Sequence, residues 1–286
     1  QPRSRGLGDV YKRQMYDVRG IQSYIFKSNA AKEIVGASVL VEKIITEGLR
    51  EYVSIQKKNL STYMMDWKKD NPKAFLEDQE IEMQIMFIGG GNAYVLFRHG
   101  RECEKVNRFL AKYLLDRTYS LNLAVAVVSK TEDYKKDYDA INNKMREIKA
   151  SMPLSMPVGA MSFMAVDTIT GYPLTSKDTK GNYYSTEASL KRAAFPKMED
   201  EKLFDNMITE KGDSSTLAVF HIDGNSMGNT IRNTMKDIRG YEDAITKMRK
   251  LSLNISGNFR QTVDEMKEYM LSLIHISEPT RPRLIS

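Results

Sequence analysis

Met83-Gln84-Ile85-Met86-Phe87-Ile88, then Gly89-Gly90-Gly91-Asn92, then Ala93-Tyr94-Val95-Leu96-Phe97-Arg98 is the stretch from which the fold is read. Two apolar, β-prone runs are joined by a link that only a hairpin accommodates well, and glycine supplies the positive φ angles of its turn. On the C-terminal side, Glu102–Thr118 places Val106, Phe109, Leu110, Tyr113 and Leu114 on one helical face. Leu121–Ser129 then reads as a buried strand. On the N-terminal side, Met15–Val18 is a short apolar stub that ends a strand. Apolar residues follow at threes and fours from Ile21 to Leu49, the spacing of a helix. The order β, α, β, β, α, β predicts an α+β, ferredoxin-like domain, with four antiparallel strands carrying two helices on one face.

Two local features qualify this outline. Gly36 inside the first helical pattern costs roughly 1 kcal/mol against alanine, which predicts a break, a close approach of another backbone or a ligand contact. Residues 56–80 are polar, with Asn71-Pro72 as a turn signal, and read as an excursion between elements. Downstream, Asp133–Ala150 reads as a further helix. The stretch from Pro153 to about Thr186 is rich in Pro, Gly, Ser and Thr and reads as an inter-domain connector. Two short helices are expected next. Ser215–Ile222 is then a second strongly apolar strand running into Asp223-Gly224-Asn225, with helical sequence from about Ser226 to Met270. A strand, an acidic turn and a helix repeat the opening at Tyr16–Gly20, so a second domain of the same kind is expected to begin near residue 215. The expected division is a first domain over 15–150, a connector over 151–214 and the start of a second domain over 215–270.

The ends of the chain read differently. Asp9–Gln14 can be encoded by gat gtg tat aag aga cag, whose reverse complement translates as Leu271–Ile276; a matching choice of codons for Ser277–Arg281 reverse-complements to Ser4–Gly8. The shared DNA resembles a transposase sequencing adapter, so residues 1–14 and 271–286 are read as adapter-derived, and the gene is expected to continue past Met270. The formal charge of +6 shrinks accordingly. Residues 1–14 hold +3 and 271–286 hold +1, which leaves +2 for 15–270. That balance does not argue for a nucleic-acid footprint. Cys103 is the single cysteine among 286 residues, so a disulfide framework is excluded and a cytoplasmic setting is expected. The longest apolar runs fall well short of the ~20 residues a membrane-spanning helix needs, and no membrane partner is expected.

Asp17 and Asp223 each end a first strand. In a ferredoxin-like palm that strand lies beside the central hairpin, so a carboxylate there faces whatever the hairpin tip presents. Two carboxylates from such elements hold Mg²⁺ against a triphosphate, yet the first tip, Gly89-Gly90-Gly91-Asn92, has none. Each piece also has a plainer reading: the glycines as a hairpin turn, and Asp223-Gly224-Asn225 as a strand-to-helix turn with a capping residue. His99 and His221 are isolated. Cys103 reads as a helix-packing residue, the methionine surplus as adaptable core, and the Lys and Glu of 242–268 as a solvated helix face.

Taken in order, Asp17-Val18-Arg19-Gly20-Ile21-Gln22-Ser23-Tyr24-Ile25-Phe26, Gly36-Ala37-Ser38, Gly89-Gly90-Gly91-Asn92 and His221-Ile222-Asp223-Gly224-Asn225-Ser226-Met227-Gly228 resemble the large palm-domain subunit of type III CRISPR effector complexes, the Cas-ten or Cmr-two-like proteins. The resemblance implies two palms related to GGDEF and nucleotide-cyclase domains, with ATP bound between them. Active members join ATP into cyclic oligoadenylates in antiviral defence. It implies Asp223, with Gly224 beside it, as the Mg²⁺ site. Asp17, Gly89, Gly90, Gly91, Asn92 and Asn225 are the implied nucleotide-binding residues. CRISPR ribonucleoprotein subunits and RNA are the implied partners. Asn225 stands where a second aspartate is usual, and the connector at Thr170–Pro173 has no cysteine, so zinc is not expected. The catalytic Gly-Gly-Asp-Asp hairpin of the family would lie beyond Met270, so the fragment by itself is expected to be inactive. The alternative is a non-catalytic palm scaffold. A stand-alone diguanylate-type cyclase fits poorly, because the first hairpin lacks acidic residues.

Overall fold

The computed structural model describes residues 11–56, 59–89, 91–153, 159–196 and 226–276. The hairpin forms as its sequence dictates: β3 (Met83–Gly89) and β4 (Asn92–Phe97) are antiparallel, with Gly89 opposite Asn92. The link is therefore tighter than the four residues expected, because Gly89 and Asn92 already belong to the ladder. β1 (Lys12–Arg19) pairs antiparallel with β4 on one edge and with β5 (Asn122–Ser129) on the other. A two-residue strand, β2 (Tyr63–Met64), adds parallel to β3, and the sheet order is β2-β3-β4-β1-β5. Leaving β2 aside, this is the ferredoxin-like arrangement, and the fold is α+β.

The first strand is longer than the stub expected from Met15–Val18. It begins at Lys12, and Lys12, Arg13 and Gln14 are buried within it. The first helical run is interrupted at residues 26–30 rather than at Gly36, giving α1 (Ile21–Ile25) and α2 (Ala31–Ile55). Gly36 lies inside α2 for another reason. A Cβ there would sit 1.8 Å from the carbonyl oxygen of Lys191, in the helix α6 (Thr186–Ala193) that the sequence placed after the connector. The close backbone approach, one of the three readings of that glycine, is what the structure contains. The 56–80 excursion holds β2 and α3 (Ala74–Glu77), and the connector holds a separate hairpin of β6 (Leu174–Lys177) and β7 (Tyr183–Ser185).

The largest departure concerns the second face of the sheet. α2 and α4 (Gly100–Thr118) cover one face, where Tyr16, Val18, Ile85, Val95 and Phe97 meet Val41, Ile45, Val106 and Leu110. The opposite face carries Met15, Met86, Tyr94, Leu96, Ala124 and Ala126, and it too is covered. α5 (Tyr134–Ser151), α7 (Met227–Met235) and α8 (Tyr241–Ile276) supply Ile141, Met145, Met235, Ile245 and Met248 to it. A sheet whose strands are apolar on both sides has no face to give to water, so the run Met83–Ile88, read only as a hairpin arm, also called for this second layer. Among the described residues no helix is long and apolar enough to cross a membrane.

Cys103 packs within the first core as expected. It is buried, its thiol faces Gln14 Oε1 at 2.6 Å, and burial pushes its pKa up to about 12. Arg13 is the odd member of the second core. Its guanidinium carbon lies 4.2 Å from the ring centre of Tyr134 and 5.6–5.7 Å from those of Tyr94, Tyr138 and Tyr241. Nη1 donates to the Tyr134 carbonyl at 3.0 Å, while Nε and Nη2 have no acceptor among the described residues. Unsatisfied buried donors cost about 1–3 kcal/mol each, and the ring contacts offset part of that. Arg13→Met is expected to raise the unfolding free energy by about 1–2 kcal/mol, read as a higher urea midpoint with unchanged slope.

Candidate functional site

The end of β1 and the hairpin tip come together because β1 and β4 are neighbours in register. Asp17 stands directly opposite Asn92 on one side and Ala124 on the other. The tip is tied down by the backbone: Val18 N–H donates to the Gly91 carbonyl at 2.9 Å. Gly91 has φ +80°, a left-handed conformation that calls for glycine, and a Cβ on it would also have to displace the tip of the Ile21 side chain. Three sequence-predicted residues, Asp17, Gly91 and Asn92, are thereby brought to one rim, with Gly89 at the last position of β3. Gly90 lies outside the described residues, as do Asp223, Gly224, Asn225, His221 and the expected strand Ser215–Ile222.

The electrostatics of the rim were not foreseen. Alternation along β1 sends Asp17 to the same face as Met15, the face covered by α5. Because α5 follows β5 and runs back antiparallel to it, its C-terminal turn returns to the end of β1. Lys149 Nζ there donates to Asp17 Oδ2, an ion pair in which the aspartate is 13% and the lysine 40% exposed. Two residues further along β1, Arg19 Nη1 donates to the Met152 carbonyl at 2.8 Å, placing a cation at the C-terminus of α5. Asn92 Oδ1 is buried with no hydrogen-bond donor among the described residues. The rim thus presents an aspartate held by a lysine, an amide whose oxygen has no donor among the described residues, and a turn whose backbone favours glycine.

Mg²⁺ does not fit this rim. Asp17 is its one carboxylate, and a lysine already holds it; among the described residues no group of three His, Cys, Asp or Glu side chains is arranged to hold a metal. Lys149 and Arg19 are the residues that sequence reasoning missed. The available signal was only that α5 ends in Lys149, since the lysine and Asp17 are 132 positions apart.

No protein family and no curated protein is matched by the sequence. Solved structures are. The chain is similar to those described as the apo Csm1-Csm4 cassette, the cassette in complex with cA4 and the cassette in complex with one ATP. The identities are 14%, 16% and 15%, and the TM-scores 0.35 in each case. The likeness covers 49–50% of this chain and 18–19% of those chains, so this chain spans only a minor part of their length.

A double-mutant cycle at Asp17 and Lys149 tests the rim. With Asp17→Ala, Lys149→Ala and the pair, urea unfolding is expected to return a coupling of about 1 kcal/mol, below that of a fully buried pair because the lysine is partly solvated.

Proposed function

We propose that residues 15–150 form a nucleotide-binding palm whose rim is Asp17, Gly89, Gly90, Gly91 and Asn92, with ATP as the ligand. The observation that carries this reading is the buried Oδ1 of Asn92, which has no donor among the described residues, beside the Asp17–Lys149 pair. A buried acceptor left unmet costs about 1–3 kcal/mol, which a ligand donor would remove once the Asn92 side chain turns outward. Ribose hydroxyls and the exocyclic amine of adenine are donors of that kind, and the Lys149 ammonium suits a phosphate. The sequence resemblance to type III CRISPR large subunits adds that ATP lies between two palms. Asn225 is then a ribose contact from the second palm, which starts near residue 215, and Asp223 with the Gly224 backbone holds Mg²⁺ there. On this reading the whole protein works in the cytoplasm with CRISPR ribonucleoprotein subunits and RNA, and it makes cyclic oligoadenylates if its second hairpin carries paired aspartates.

The second reading, a palm scaffold without catalysis, is favoured by the capture of Asp17 by Lys149 and by the absence of a carboxylate at the first tip. Calorimetry with ATP separates binding from its absence. This chain is expected to bind ATP without added Mg²⁺, and Lys149→Ala or Asn92→Leu to weaken binding about tenfold. Unchanged binding in both variants contradicts the rim assignment. In a protein that carries both palms, Asp223→Ala is expected to abolish the Mg²⁺-dependent part of ATP binding.

A further inference from the structure

At the other end of α5 lies a groove of about 350 Å³ between that helix and α7, lined by Lys135, Tyr138, Arg232, Asn233, Met235 and Lys236. Lys135 opens α5 and Lys149 closes it, so the groove stands about 21 Å from the rim along the helix axis. No acidic side chain lines it. Lys135 is bound to Asp139 at 2.7 Å, Asp237 beside Lys236 is exposed, and two carboxylates at the start of α5 are engaged. Asp133 takes Arg239 at 3.3 Å and caps α5, and Asp137 accepts from Thr131 and Tyr241. Arg232 reaches only the amide oxygen of Asn229, at 3.4 Å. Arg232 and Lys236 have no carboxylate within ion-pair distance among the described residues, although they stand four apart, a spacing at which like charges repel and weaken a helix.

We propose that this groove binds the phosphate of a nucleotide, either free or as one unit of a single strand. Two uncompensated cations and a third across the groove supply the charge, Asn233 an amide for hydrogen bonding, and Tyr138 and Met235 an apolar surface for the rest of the ligand. The volume is that of a small-molecule site rather than of a bare ion. An anion between Arg232 and Lys236 also relieves their mutual repulsion, which no carboxylate among the described residues offsets.

The test uses the full chain in a Lys149→Ala background, in which the rim contributes about tenfold less, and reads the change that the groove substitutions add. Two fluorescent probes, labelled adenosine monophosphate and a labelled oligouridylate of five nucleotides, are titrated by polarisation. Arg232→Gln with Lys236→Gln is expected to weaken binding at least about tenfold, a loss that shrinks as salt screens the contacts. Arg108→Gln with Lys112→Gln removes the same charge from the exposed face of α4 and is expected to change binding less than about twofold. All four side chains are solvent-facing, and circular dichroism confirms folding; the single Lys236→Gln serves if the pair does not fold. Binding of the mononucleotide itself assigns the free ligand, and binding of the oligonucleotide alone assigns the strand. Equal loss in both charge variants, or no binding of either probe, overturns the proposal.

Discussion

Strand β1 is hydrogen-bonded along both edges, to β4 and to β5, and the rest of the structure depends on that central position. Its alternation distributes side chains between two cores: Tyr16 and Val18 toward α2 and α4, Met15 and Asp17 toward α5. A slip of one residue would exchange the faces and send Asp17 into the first core. The register is fixed from both sides, and its C-terminal end delivers Asp17 to the hairpin tip and to the last turn of α5. The candidate site is therefore a consequence of the sheet order rather than an addition to it.

The chemistry of the rim follows from what surrounds that one carboxylate. An aspartate at the end of a first palm strand serves a metal when a second carboxylate faces it, and here an amide and a lysine stand in those places. The lysine supplies the positive charge that a cation would bring, at a fixed position and without coordination. The same economy of charge marks α5 as a whole, with a paired lysine in its last turn and a basic groove at its beginning.

Much of the fold was legible in the sequence because the hairpin and its flanking helices carry clean periodicities. The spacing of Val106, Leu110, Tyr113 and Leu114 gave α4, and the two apolar arms around the glycines gave β3 and β4. The second layer was hidden for a physical reason: the lysines and glutamates of 242–268 mark a solvated face, and they distract from Tyr241, Ala244, Ile245 and Met248 on the buried one. β6 and β7 were hidden because short, half-exposed strands have little apolar alternation to show. At the site, Asp17, Gly91 and Asn92 were readable from strand ends and turn chemistry. Lys149 was not, since its partnership with Asp17 depends on a helix crossing back over the sheet, a relation that no local pattern encodes.

The central claim is that the end of β1 and the hairpin tip form a nucleotide-facing rim. Amide chemical shifts of the isotopically labelled chain, followed as ATP is added, test it at the atoms concerned. The account predicts saturable shifts at the Asn92 side-chain amide and at the backbone amides of Val18 and Gly91. Saturable shifts confined to other parts of the fold, with these three unmoved, would contradict it.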